Sequence, residues 1–232
     1  MDAMKVLDIP RINPSSLWRN RAFEAVWGAL YNAGIENRQL ARPIGWALFG
    51  TDSRLVYRNL EVLRDLPAGT EVLDVPCGGG IALDALPTDH GLHYVAADIS
   101  PSMLERAEEK ADRLGLTGID FVEADILHLP FSDGRFDIIL SLNGLHCLPD
   151  PAAAVRELAR CLKPGGRLIG DCIVRGAHPR GTAAATVMGM AGIFGPGGTP
   201  TDLAQWIADA GLEQLQLETS GAIAHFAARR PI

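Results

Sequence analysis

Between Glu71 and Val174, five short apolar runs rich in β-branched residues alternate with helical patterns, and this alternation restricts the fold more than any other feature of the chain. The runs are Glu71 to Val75, His93 to Ala97, Ile119 to Glu123, Phe136 to Leu142 and Arg167 to Val174. The helical patterns fall at about Gly80 to Leu86, Pro101 to Leu114 and Pro151 to Cys161. Strands that alternate with helices bury their apolar surface as a parallel sheet covered on both faces, so the expected fold class is doubly wound α/β. Two later runs, Leu212 to Glu218 and Ala222 to Arg229, are separated only by Thr219-Ser220-Gly221. Three residues are too few for a crossover, so these runs are expected to form a C-terminal antiparallel hairpin and bring the sheet to seven strands.

With 232 residues and 47% hydrophobic content, the chain can bury the core of one domain. Within it, residues 1–66 read as an N-terminal helical extension, 67–174 as the strand–helix core, 175–201 as an insertion, and 202–232 as a final helix and hairpin. In the extension, Phe23, Val26, Trp27, Leu30 and Tyr31 recur at helical spacing, and two more helices are expected at Leu40 to Phe49 and Asp52 to Arg64. The uncharged stretch from Gly181 to Thr201 is nearly long enough to span a membrane. Its glycines at 189, 192, 195, 197 and 198 and its prolines at 196 and 200 argue instead for a mobile or substrate-facing segment, with no stable membrane insertion.

The net charge of −7 is unevenly spread: nine Lys or Arg face seven acids in residues 1–69, and twelve face twenty-one in the rest. No nucleic-acid footprint follows from that balance. Cys77, Cys147, Cys161 and Cys172 form no CxxC pair and read as reduced thiols. The opening MDAMKVLDIPRINP has no basic segment leading into a long apolar stretch, so a cytoplasmic location is expected.

In a doubly wound sheet, ligands bind beyond the carboxyl ends of the strands, closest to the first strand-to-helix turn. Here that turn is Pro76-Cys77-Gly78-Gly79-Gly80, whose glycines let backbone approach a ligand. Asp98 closes the second run, 24 residues beyond Asp74, near the spacing at which an acid reaches a ribose hydroxyl pair. The competing role for Asp98, capping the helix that begins near Pro101, is equally open to Ser100. Asp125 ends the third run, where it can accept a hydrogen bond from an adenine amino group beside the apolar Ile126. Together these features describe a pocket for an adenosine.

The segments VLDVPCGGG, AADISPSMLERAEEKA, FVEADILHLPFSDGRFDIILSLNGLHCLPDP and ELARCLKPGGRLI, in that order and spacing, resemble the class I S-adenosylmethionine-dependent methyltransferases. The likeness is greatest to the group containing the ubiquinone and menaquinone biosynthesis enzymes. It spans about residues 71–170 and implies a Rossmann-like sheet, S-adenosyl-L-methionine as cofactor and S-adenosyl-L-homocysteine as product. By position, it implies that Asp74, Pro76, Cys77 and Gly78 hold the methionine part and that Asp98 binds the ribose. Ile99 and Met103 would pack beside the adenine, Asp125 and Ile126 would complete its recognition, and Leu142 and Asn143 would line the site near the methyl. Pro76 departs from the resemblance, because glycine is usual there and proline fixes φ and removes an N–H. Lys163-Pro164-Gly165-Gly166 reads as a turn before the fifth strand.

A sulfonium already activates its methyl group, so proximity and alignment supply most of what transfer needs. If the acceptor must lose a proton, His146 is the candidate base; otherwise it packs in or beside the site. His90 and His93 lack accompanying ligands, and no metal site is expected. Half of the fourteen aromatic residues, Trp18, Phe23, Trp27, Tyr31, Trp46, Phe49 and Tyr57, fall in the first 57 positions. They read either as an apolar wall for a small phenolic, quinone-like or lipid-linked acceptor, or as packing for the N-terminal helices. Two other functions use the same turn. One is a nicotinamide-dependent dehydrogenase, which would need a tyrosine followed four residues later by lysine that the chain lacks, and the other is a non-catalytic S-adenosylmethionine-binding module.

Overall fold

The computed structural model describes residues 38–51 and 54–232. Among them, seven strands form one sheet: β1 (Glu71–Asp74), β2 (His93–Asp98), β3 (Ile119–Glu123), β4 (Phe136–Leu142), β5 (Leu162–Ile173), β6 (Glu213–Ser220) and β7 (Ile223–Arg229). Their order is β3-β2-β1-β4-β5-β7-β6. The first five pair in parallel, and β7 runs antiparallel to both of its neighbours. The chain steps outward from β1 to β3 and then returns to lay β4 on the other side of β1, which opens a crevice beyond the carboxyl ends of β1 and β4.

The helices are α1 (Arg38–Phe49), α2 (Arg54–Leu60), α3 (Pro101–Leu114), α4 (Pro151–Cys161), α5 (Pro179–Met190) and α6 (Pro200–Asp209). Each of α3 to α6 begins with a proline, whose missing N–H costs nothing in the first turn. Just before those prolines, Ser100, Asp150, His178 and Thr199 each accept a backbone N–H of the first turn. Side chains alternate across the strands, so Leu73, Val95, Ile139 and Leu168 pack on one face with Leu158 of α4 and Ile207 of α6. Val72, Tyr94, Ile138 and Leu140 pack on the other with Leu60 of α2 and Ala107 of α3. This is the doubly wound sheet expected from the alternation.

Four local expectations change. The stretch Gly80 to Leu86 forms only a 3₁₀ turn, Ile81–Ala85, because Pro87 drives Leu86 into extended backbone. Lys163 to Gly166 does not precede β5 but lies inside it, as a bulge that shifts the register against β4 between Phe136 and Ile138. The uncharged stretch after Gly181 is helical as far as Met190, where α5 lies against α1. The hairpin strands reach Ser220 and Ile223, which leaves Gly221 and Ala222 as the turn. The helix expected around Phe23 to Tyr31 lies outside the described residues. Among those described, no helix is long and apolar enough to cross a membrane.

Candidate functional site

At the end of β1 the chain passes through a cis Val75–Pro76 bond into the glycine turn. The turn is stitched to both neighbouring strands, with Val75 N–H donating to the Leu140 carbonyl and Cys77 N–H to the Ala97 carbonyl, each at 2.9 Å. Gly78 N–H donates to Asp98 Oδ2 at 2.8 Å, and Ser100 N–H donates to Asp98 Oδ1 at 3.0 Å. These bonds orient the Asp98 carboxylate, while Ser100 Oγ takes the Met103 N–H and caps α3. The capping role therefore belongs to Ser100. Gly78 stands at φ +53° with open space where a Cβ would be, so its backbone is bare on that side.

The turn and the ends of β2, β3 and β4 line a cavity of about 110 Å³ that is open to solvent. All the residues expected to hold the cofactor line it except Asp74. Asp98 and Ile99 come from the end of β2, Met103 from the first turn of α3, Asp125 and Ile126 from the loop after β3, and Leu142 and Asn143 from the end of β4. Asp125 is held in a tight turn, where its Oδ1 accepts Leu127 N–H at 3.0 Å and its carbonyl accepts His128 N–H at 2.8 Å. Asn143 has φ +52°, an uncommon conformation for a residue other than glycine.

Asp74 lies behind the turn, 1% exposed, with Tyr94 Oη donating to its Oδ2 at 3.0 Å and with no partner for Oδ1 among the described residues. Burial pushes its carboxyl up to about 7, the Tyr94 hydroxyl opposes that, and the charge of Asp98 adds to it. It supports the turn from behind and does not line the cavity.

His146 is also absent from the cavity wall. It is 5% exposed, its Nδ1 accepts Ile173 N–H at 3.2 Å, and its ring meets that of Phe194 edge-on at 4.5 Å. Its carbonyl accepts Gly195 N–H at 2.9 Å, so one residue ties the loop after β4 to the end of β5 and to the loop after α5. Burial lowers the imidazole pKa to about 3. A ring whose Nδ1 is occupied and whose proton affinity is this low is unsuited to general base work near neutral pH. Of the two readings of His146, the packing one fits this geometry.

Sequence reasoning missed Ile81, Gly144, Cys147 and Leu148, which also line the cavity. Residues 144 and 147 fall one 3₁₀ turn apart, across Leu145–Cys147, which brings them to the same side. A Cβ on Gly144 would strike Cγ and Cδ of Pro76, so the bare residue on one loop makes room for the proline on the other. The thiols of Cys77 and Cys147 are kept protonated chiefly by burial, that of Cys147 with a pKa of about 12. Of the N-terminal aromatics within the described residues, Trp46 is 64% exposed, Phe49 and Tyr57 are half-buried, and none lines the cavity. Trp18, Phe23, Trp27 and Tyr31 lie outside the described residues. His90 is occupied structurally, with Leu92 N–H donating to its Nδ1 at 3.0 Å, and no cluster of metal ligands occurs among the described residues.

Comparison with known proteins agrees with this geometry. Residues 73–170 match the family described as a methyltransferase domain. The 27-O-demethylrifamycin SV methyltransferase of Amycolatopsis mediterranei is 35% identical over 153 residues, 65% of this chain and 54% of that protein. The demethylmenaquinone methyltransferase of Thermus thermophilus is 39% identical over 122 residues, 52% of this chain and 54% of that protein. The chain thus spans about half the length of these curated relatives. A solved phosphoethanolamine N-methyltransferase 2 of Haemonchus contortus, with S-adenosyl-L-methionine bound, superposes with a TM-score of 0.72 over 95% of this chain and 60% of that one. At 14% identity it establishes the fold alone. The glycine turn, the acid at the end of β2 and the family match over β1 to β5 together mark residues 73–170 as a methyltransferase domain of the class I S-adenosylmethionine-dependent kind.

Proposed function

We propose that this chain transfers the methyl group of S-adenosylmethionine to a small, largely apolar acceptor of the phenolic, quinone-like or lipid-linked kind. The observation that carries this reading is the make-up of the cavity wall. Asp98 and Asp125 reach it from the ends of β2 and β3, Pro76, Leu142, Cys147 and Leu148 from the ends of β1 and β4 and the loop after β4, and no Lys or Arg is among the lining residues. The two acids suit an adenosine, and the other four residues suit an uncharged acceptor. The two relatives, a demethylrifamycin and a demethylmenaquinone methyltransferase, support a small-molecule acceptor.

The residues present fit the cofactor. The bare backbone at Gly78 offers a cradle, and the fixed carboxylate of Asp98 offers acceptors for the ribose hydroxyls. Ile99, Met103 and Ile126 would sandwich the adenine, and Asp125 would accept from its amino group. Leu142 and Asn143 would border the reacting end, opposite Pro76 and Cys77. When bound, the cofactor supplies a sulfonium-activated methyl. The protein's contribution is to exclude water with the apolar wall and to hold the acceptor in line, a restraint worth about 7 to 11 kcal/mol in favourable cases. With His146 read as a packing residue, the acceptor's own acidity or another group would provide for any proton.

Calorimetry with S-adenosylmethionine, S-adenosylhomocysteine and NAD, followed by mass spectrometry of phenols, quinols, lipids, peptides and nucleic acid incubated with the enzyme, tests the reading. Binding of the first two ligands and a 14 Da gain on a small apolar acceptor are expected. Binding of NAD alone would overturn the cofactor, and methylation of only peptide or nucleic acid would overturn the acceptor class. Tight binding with no methylated product would favour a non-catalytic module.

A further inference from the structure

Beneath the reacting end of the cavity lies a carboxylate that none of these roles uses. Asp171, near the end of β5, is fully buried. Its Oδ1 accepts Asn143 N–H at 3.0 Å, and its own carbonyl lies at the same distance from that N–H. One backbone donor is thus shared between a ladder carbonyl and a charged or chargeable side chain. The donor belongs to Asn143, which follows the last residue of β4, stands at φ +52° and lines the cavity. The other carboxyl oxygen, Oδ2, has no hydrogen-bond partner among the described residues and faces Nδ1 of His225 at 4.0 Å. That nitrogen in turn lies 3.4 Å from Asn59 Nδ2 of α2. Across β5 and β7, Asp171 and His225 are direct register partners.

A buried carboxyl with an unsatisfied oxygen is expensive, and nothing in the packing of β5 requires one at this position. Its neighbours in the strand, Ile169 and Ile173, are apolar. The cost is explained if the carboxyl serves the residue it binds. Left-handed backbone at a residue with a Cβ persists only where its surroundings hold it there. We infer that Asp171 is a positioning residue, which fixes Asn143 in its left-handed conformation and thereby sets the wall of the methyl-transfer site. The inference rests on the methyltransferase reading for its consequence, but its physical content, the restraint of Asn143 by Asp171, does not depend on any ligand.

The test separates the two. Amide hydrogen exchange at Asn143, followed by NMR in the ligand-free protein, reports the restraint, and calorimetry with S-adenosylhomocysteine reports its effect on the site. In Asp171→Leu, the Asn143 amide is expected to exchange at least about tenfold faster while amides of the β1–β2 ladder keep their protection, with S-adenosylhomocysteine affinity falling about tenfold. Asp171→Asn retains an oxygen that can accept the same N–H and is expected to restore both readouts to near wild type. Asn143→Gly, which takes positive φ without support, is expected to make the site indifferent to the later loss of Asp171. Unchanged exchange at Asn143 in a folded Asp171→Leu overturns the inference. So does an Asp171→Asn protein that loosens as much as the leucine variant, which also decides the matter if Asp171→Leu does not fold. Wild-type protein that fails to bind S-adenosylhomocysteine overturns the methyltransferase reading and leaves the exchange result to judge Asp171.

Discussion

If His146 is a buried neutral hinge and not a base, replacing it should change how stability depends on pH. In the folded protein burial lowers its pKa from 6.5 to about 3, so between those values the unfolded chain binds a proton that the folded one does not. Stability therefore rises with pH across this window and is lost as pH falls through it. With about 1.4 kcal/mol per pH unit once the unfolded imidazole is mostly charged, the loss attributable to His146 between pH 7 and pH 5 is about 2 kcal/mol. Asp74 and Asp171, whose carboxyls are raised to about 7 chiefly by burial, act in the opposite sense, because the folded state holds their protons more tightly. They are common to both proteins in the comparison and cancel. In His146→Asn, the amide oxygen can take over the Ile173 N–H, but the edge-on contact with Phe194 and the titration both disappear. The variant should be less stable at pH 7 by about 1 to 3 kcal/mol, from the lost volume. At pH 5 that gap should narrow by about 2 kcal/mol. Urea unfolding followed by circular dichroism at the two pH values measures both gaps. A gap that stays constant would mean that folded His146 takes up protons as freely as the unfolded chain, which would refute the hinge assignment and return the residue to candidacy as a base.

Asp98→Asn keeps the side chain's shape but replaces one acceptor oxygen by a donor that faces either Gly78 N–H or Ser100 N–H. Affinity for S-adenosylhomocysteine should fall about 10- to 100-fold by calorimetry with the far-UV spectrum unchanged, and retention of full affinity would refute the ribose assignment. Gly144→Ala places a methyl against the Pro76 ring and should cost about 1 to 3 kcal/mol. Adding Pro76→Gly should recover most of that loss in thermal unfolding, and a double variant no more stable than Gly144→Ala would show that the two loops do not compete for that space.

The strand–helix alternation and the spacing of acids at strand ends were legible because both follow from local pattern. Apolar side chains of period two must find a covered sheet, and a parallel sheet places every strand's carboxyl end at the same edge. That is why Asp98 and Asp125, 27 positions apart, could be assigned to one pocket from sequence, and why Ser100 could be weighed as the cap of α3. Local rules failed where two local signals competed. Pro87 and Gly80 squeezed an expected helix into a 3₁₀ turn, and the glycines at 181 and 189 did not prevent α5 from forming.

What the sequence by itself determined is the class of sheet, the edge at which its crevice opens and the acids that line it, because these depend on residue type and spacing along one segment. Only the tertiary structure decided the rest. Asp74 and His146 have the chemistry of site residues but stand behind the wall, one under Tyr94 and the other bonded to Ile173 N–H. Pro76 is accommodated by Gly144, 68 positions later, and Asn143 is held by Asp171 from the neighbouring strand. The physical reason is the same in each case: burial and hydrogen-bond partners come from segments distant in sequence, and they decide whether a titratable side chain meets a ligand or holds the residue that does.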